Sequence, residues 1–197
     1  MVLLVAVLVG LTAGICRARL GKREYRVYDL KATGLVLLAF IPQFIVFFLP
    51  FTRSRISNNT ASILYVSSLV LLIVFSLFNI RKISFWPITA GFLLNALVIL
   101  LNGGWMPISP AMVQKLTAGA AESTWQLGER LAYSKDIVLA PEVTRLWLLS
   151  DRFTLPDWIN YRVAFSLGDT LIFAGVIWLL WSLGGIENEN KKEKQNE

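Results

Sequence analysis

Histidine is missing from these 197 residues, and there is a single cysteine, Cys16. Without histidine the commonest general base and metal ligand is gone, so Ser-His-Asp catalysis, His-zinc sites and His-ligated haem are excluded within the chain. One cysteine excludes an intramolecular disulfide and any multi-cysteine metal site. Neither a metal centre nor a cofactor is expected. Charge is scarce as well: 16% of residues are charged against 55% hydrophobic, where a soluble domain carries about 25% charged.

The apolar residues are gathered into five runs, at about 2–16, 32–51, 61–80, 83–101 and 165–183, most of them near the ~20 residues that span the ~30 Å of hydrocarbon in a bilayer. The expected fold is therefore all-α, a polytopic membrane bundle of five transmembrane helices with a small extracytoplasmic helical cap. Residues 1–184 form the membrane domain, and 185–197, a mixture of Glu, Lys, Asn and Gln, form a disordered cytoplasmic tail. The first run is short, about 15 residues, and invites comparison with a signal peptide. No basic residue precedes Val2, however, while Arg17, Arg19, Lys22, Arg23 and Arg26 follow the run. That charge order favours a retained span with its N-terminus outside.

Orientation follows from the basic residues, because short loops rich in Lys and Arg stay in the cytoplasm. Arg17 to Lys31 supplies six, Arg81 and Lys82 two, and Lys191, Lys192 and Lys194 three, all on one side of the expected topology. The C-terminus is placed inside, and the protein in a bacterial cell membrane. Trp86, Trp178 and Trp181 near the inner boundary, with Trp105 and Trp158 near the outer one, fit an aromatic belt. The net charge of +6 is explained by topology and anionic lipid. No nucleic-acid partner is expected, since the basic residues sit beside the spans and form no single soluble face.

One long connection, about 103–163, falls outside, and connections of that length are usually functional. Ser109-Pro110 reads as an N-cap with proline at the first helical position, opening a short helix over Ala111 to Ala118 closed by Gly119. A second helix is expected over Glu122 to Tyr133, and Leu146-Trp147-Leu148-Leu149 has the composition of a segment lying in the membrane interface. Pro42 is expected to kink the second span. Asn102-Gly103-Gly104-Trp105-Met106-Pro107 ends the fourth span, with the two glycines allowing a left-handed exit and the proline preventing the helix from resuming.

Asp169 is the one charged residue inside the five runs, and an ionisable residue there is a functional-site candidate. Two readings compete. The first is a helix N-cap, where the dipole favours a carboxylate by about 0.3–1 kcal/mol. The second pairs Asp169 with Asp151 or Asp157 as two carboxyls sharing a proton, able to act as base and acid on one water.

Several of these segments together resemble a family of uncharacterised bacterial multi-pass membrane proteins, a domain of unknown function. The resemblance runs through Gly10-Leu11-Thr12-Ala13-Gly14, Gln43, Asn102 to Pro110, Thr144-Arg145-Leu146 with Leu149 and Asp151, and Ser166-Leu167-Gly168-Asp169. It covers nearly the whole chain and implies a membrane location without a known activity. Members often carry a histidine ahead of the Thr-Arg-Leu segment, which this chain lacks. A fainter likeness is to lipoprotein signal peptidases, whose last span opens with Phe-Asn-x-Ala-Asp. Phe165-Ser166-Leu167-Gly168-Asp169 is similar in register, Asp151-Arg152 resembles that family's Asp-Arg, and Asp157-Trp158 stands near the place of its other aspartate. The Asp157 to Asp169 spacing is shorter than in that family.

The expected function is a non-catalytic envelope role with a polar site at the outer membrane interface. Asn102, Gly103, Gly104 and Arg145 would bind, and Asp151 and Asp169 would complete that corner, with Arg145 available to either carboxylate or to a lipid phosphate. The partners would be the lipid bilayer and a lipid or membrane-embedded substrate. The alternative is an aspartyl intramembrane hydrolase using Asp169, Asp157 and Asp151. A small-solute transporter is a weaker alternative, because no charged residue lies at mid-membrane.

Overall fold

The computed structural model describes residues 2–27, 29–53, 55–117, 125–156, 158–159 and 161–185. It is mostly helical, and its five longest helices overlap the five apolar runs. α1 (Val2–Leu20) extends four residues beyond the expected span, so that Arg17 and Arg19 lie in its last turn, where cations suit the helix dipole. α2 (Gly34–Gln43) contains Pro42 and passes into a π-helical turn, Phe44–Phe48. Proline removes one hydrogen bond of the ladder, and a wider turn is one way to continue. α3 (Pro50–Arg53) follows, and Thr52 Oγ1 donates to the Ile45 carbonyl at 2.5 Å, satisfying one of the π turn's acceptors.

α4 (Asn58–Phe78) opens on Ser57, whose hydroxyl accepts from the Thr60 N–H, as an N-cap does. α5 (Phe85–Leu101) is joined to α4 by a short turn, and α7 (Leu167–Leu183) closes the helical set. Two segments, Leu3–Leu20 and Asn58–Phe78, are long and apolar enough to cross a membrane, and Gly34–Phe48, Phe85–Leu101 and Leu167–Leu183 are apolar but shorter.

The helices stand in a row in which α2 packs on α4, α4 on α5, α5 on α7, and α7 on α1. α1 and α2, at the two ends of the row, form no comparable packing with each other. Close approach along α7 depends on small residues, as membrane helix pairs commonly do. A Cβ on Gly91 of α5 would lie 2.5 Å from the Gly168 carbonyl oxygen, and one on Gly10 of α1 would lie 2.9 Å from Leu180 Cβ. Gly10 meets Ile177 and Leu180 while Gly14 meets Leu180 and Gly184, so α1 runs parallel to α7. Gly91 meets Gly168, and Ile88 meets Gly175, so α5 runs antiparallel.

Between α5 and α7 the chain builds a small cap on one end of the row. β1 (Met106–Ile108) is fully buried and pairs in parallel with β2 (Asp136–Val138). α6 (Pro110–Leu116) begins at Ser109, whose hydroxyl accepts from the Met112 N–H, and a 3-10 turn spans Trp147–Leu149. β3 (Phe153–Thr154) and β4 (Ala164–Phe165) form a second, antiparallel pair. The cap is thus mixed, where a helical cap was expected. Pro107, with no N–H to donate, stands in the extended β1, and β-branched Ile108, Ile137 and Val138 favour strand.

The helix expected over Glu122 to Tyr133 is corrected too. Residues 122–124 lie outside the described residues, and from Trp125 to Tyr133 the chain makes turns and an antiparallel bridge of Arg130 to Ile137, with Gly128 at φ +82° and Ala132 at +47°. Gly119 and the tail beyond Gly185 lie outside the described residues. Trp105 is 6% exposed and stacks on Tyr65 at 6.4 Å, with the Arg130 guanidinium 4.6 Å from its ring. It packs inside the protein and takes no part in a lipid-facing belt, whereas Trp86 and Trp158 are exposed.

Candidate functional site

The site is the junction between the cap and the helical row, and four sets of contacts, three polar and one aromatic, build it. At the head of α7, Ser166 and Asp169 form a reciprocal capping box in which the Ser166 hydroxyl accepts from the Asp169 N–H and the Asp169 carboxylate accepts from the Ser166 N–H. Such a box satisfies two of the free amides that every helix N-terminus leaves. Asn95 of α5 reaches both partners, donating from Nδ2 to Asp169 Oδ1 at 2.8 Å and accepting from Ser166 Oγ at 2.9 Å. This contact requires Gly168, since any Cβ there would collide with the Asn95 carboxamide.

The second link is an ion pair. Lys135 Nζ lies 2.6 Å from Asp151 Oδ2 and 3.4 Å from Asp136 Oδ1. Asp151 is 1% exposed, its N–H donates to the Pro107 carbonyl, and its Oδ1 has no protein partner among the described residues. Burial pushes the Asp151 carboxyl up to about 7 against the downward pull of Lys135. Burial works the other way on Lys135 and is outweighed by the Asp151 and Asp136 carboxylates, which hold the ammonium well above its ordinary value. The pair therefore keeps its lysine proton to high pH and takes up a second proton, on Asp151, near neutrality.

The third link is Asn102, the C-cap of α5, which donates to the Arg145 carbonyl at 2.9 Å and accepts from the Arg145 N–H at 3.0 Å. Gly103 and Gly104 then leave the helix at φ +76° and +85°, and Ser62 of α4 donates to the Gly104 carbonyl at 3.2 Å. A Cβ on Gly104 would run into Ser62, whereas one on Gly103 would meet open space. The fourth link is aromatic: Phe47 meets Tyr65 edge-on at 5.6 Å, Tyr65 stacks on Trp105, and Arg130 covers Trp105.

A cavity of about 340 Å³ opens at this junction, with Gln43, Tyr65, Asn95, Lys135 and Asp169 as its polar lining and leucine, phenylalanine and isoleucine for most of the remainder. Of the residues singled out by sequence, Asp169 and Gln43 line it. Asn102, Gly103 and Gly104 build the joint beside it, and the exposed Arg145 takes part through its backbone. Asp151 bonds Lys135, and no ion pair joins it to Arg145 among the described residues. Asp157 lies outside the described residues. Sequence reasoning missed Lys135 and Tyr65. Lys135 carried one signal, a lysine on the loop that the charge pattern placed outside, just ahead of the β-prone Ile137-Val138.

Fold and junction together define a class: a helical-bundle protein with a small mixed cap, two of whose helices are long and apolar enough to cross a membrane. Within it, the chain belongs to DUF5317, a family of unknown function whose model matches residues 27–181. The chain matches no curated protein and no solved structure.

Proposed function

We propose that this is a five-span membrane protein of the bacterial cell envelope, with its N-terminus and cap outside and its C-terminus in the cytoplasm. Its work is binding, at the polar junction between cap and helices. The three shorter apolar helices would complete the span count, since each packs in the same row as the two longer ones. Wide apolar surfaces also face outward, among them Leu4 and Leu8 of α1 and Leu38, Phe40 and Ile41 of α2. Patches of that extent mark a membrane or partner surface.

The observation that carries the binding reading is the cavity in which Asp169 and Lys135, from the helical row and from the cap, face one space. A hydrolytic reading draws on Asp151, whose carboxyl takes a proton near neutrality as a general acid would. It is less favoured because both Asp169 oxygens already accept hydrogen bonds and Asp151 is engaged by Lys135. A reporter fused after Lys194 should be active on the cytoplasmic side, and the protein should remain in the membrane after alkaline carbonate extraction. Release by carbonate would overturn the five-span reading.

A further inference from the structure

The polar cavity is the head of a longer cleft walled by residues of α1, α2, α4, α5 and α7. Leu3, Leu72, Phe92 and Ile172 line both that cavity and a second one of about 520 Å³. The second runs on between Val36 and Leu37 of α2, Phe75 of α4, Ile88 of α5, and Val176 and Leu179 of α7, and among the described residues Thr33 is the single polar one in its wall. Each volume falls within the ~300–1,000 Å³ of ordinary ligand pockets. A space that is polar at one end and walled by hydrocarbon along the rest has the outline of an amphiphile.

The charges say which amphiphile. Around the polar end, among the described residues, three acidic groups, Asp136, Asp151 and Asp169, stand with two cations, Lys135 and Arg130, and Asp151 is the one that takes up a proton near neutrality. Asp136 and Asp151 contact Lys135, whereas the described partners of Asp169 are the neutral Asn95 amide and the Ser166 N–H. Asp169 is therefore the carboxylate left without a contacting cation, and it faces the cavity. An ammonium has three donors, and the described residues engage Lys135 through two carboxylates. Lys135 also lines the cavity, so its ammonium borders that space. A phosphate alone would leave Asp169 without a cation, and a small anion would leave the apolar half unused.

We propose that the cleft holds one amino-phospholipid, its ammonium on Asp169, its phosphate at Lys135, and one acyl chain running between α2 and α7. This rests on the reading that the protein spans a membrane. The ligand enters sideways, between α1 and α2, where the row of helices is open.

The test uses the full-length protein in dodecyl maltoside, offered equimolar dioleoyl-phosphatidylethanolamine and dioleoyl-phosphatidylglycerol and read by native mass spectrometry. Wild type should retain the ethanolamine lipid about tenfold over the glycerol lipid, the ratio that about 1.4 kcal/mol sustains. Asp169→Asn should abolish that preference while leaving the melting temperature nearly unchanged. Leu72→Trp, which obstructs the passage between the two cavities, should lower retention of both lipids. Should that variant fail to fold, wild type and a phosphatidylethanolamine bearing a diazirine at its chain end decide the matter. Crosslinks should fall at Val36–Leu37 and Val176–Leu179, and crosslinks confined to the outward-facing Leu38 and Phe40 would overturn the proposal. Equal retention of the two lipids by wild type, or a preference unchanged in Asp169→Asn, would overturn it as well. Carbonate extraction is read separately, so loss of the lipid site and loss of the membrane reading are distinguishable.

Discussion

The two ends of α7 solve one problem with opposite chemistry. At its head, free N–H groups are met by a carboxylate and a hydroxyl, Asp169 and Ser166. At its foot, free carbonyls are met by donors brought from the last turn of α1 and the loop that follows it. Tyr25 Oη donates to the Leu180 carbonyl at 3.0 Å, Arg17 to that of Trp181 at 3.4 Å, and Arg23 to that of Gly185 at 2.9 Å. Arg17 also lies over the Trp181 ring at 3.9 Å. Each arrangement places charge where the helix dipole favours it. The foot, however, is closed by the chain's own arginines, while the head leaves a carboxylate facing a cavity. An end that is finished by its own side chains needs no ligand, and the other end has room for one.

The same contrast runs through two asparagines. Asn79, the C-cap of α4 at the basic end, exchanges two hydrogen bonds with the backbone of Lys31, each of 2.9 Å. Asn102, the C-cap of α5 at the cap end, does the same with Arg145. Both fasten a loop to a helix end as a β-bridge would. At the basic end the fastened loop is short, and at the cap end it carries the whole mixed cap.

The largest way to break this comparison is to cut the cap's ion pair. Lys135→Met leaves the Asp151 carboxyl buried without its cation, and we expect a loss of about 3 kcal/mol. That lies at the low end of the usual range, because a third of the Lys135 side chain is open. The double variant Lys135→Met with Asp151→Leu should regain much of it. Thermal unfolding in detergent measures both, and an unaffected single variant would remove the pair from the account.

Gly168→Ala should follow, at about 2 kcal/mol, because the new methyl meets Asn95 and the Gly91 carbonyl. Gly103→Ala, with open space around it, should cost less than Gly104→Ala, and equal losses would show that Ser62 gives way freely.

The pair also gives the cap end a pH response. The folded carboxyl of Asp151 sits near 7, above its value of about 3.9 in an unfolded chain. Its contribution to stability is therefore complete below pH ~4 and is lost as pH rises through ~7. Lys135, held above its ordinary value, keeps its contribution up to about pH 10 and loses it beyond. Wild type should lose melting temperature between pH 4 and 7 while Asp151→Asn gives a flatter profile. Parallel profiles would contradict the protonation of Asp151.

The smallest effects belong to the two ends of α7 themselves. Asp169→Asn should cost at most ~1 kcal/mol, since asparagine caps about as well as aspartate. Arg17→Gln should cost about 0.5 kcal/mol, the value of a cation at a helix C-terminus. A large loss from Arg17→Gln would mean that the foot of α7 is the stronger joint.

The helices were legible because each is an apolar run, and the Ser109-Pro110 start and the glycine exit after Asn102 carried their own local signals. Asp169 was legible as the lone charge in such a run, and both of its proposed roles were visible, though the structure displays the cap. The mixed cap was not legible: β1 and β2 are three residues each and lie 27 residues apart, so no local period announces their pairing. Lys135 stayed hidden for the same reason. Its partner Asp151 is brought to it by the pairing of Ile108 with Val138 and with Asp151, a contact between segments distant in sequence. Asp151 looked like a partner for the nearby Arg145, but Asn102 holds the Arg145 backbone and leaves its side chain exposed.

The opposition between the two ends of α7 is tested most directly by a pair of cysteines in a Cys16→Ser background. Glu142→Cys sits in the exposed cap and Glu24→Cys in the basic loop at the foot of α7. In whole cells a membrane-impermeant maleimide should label the first and spare the second until the cells are lysed. Equal labelling of both before lysis, or labelling of Glu24→Cys alone, would contradict the placement of the two ends on opposite sides of a membrane.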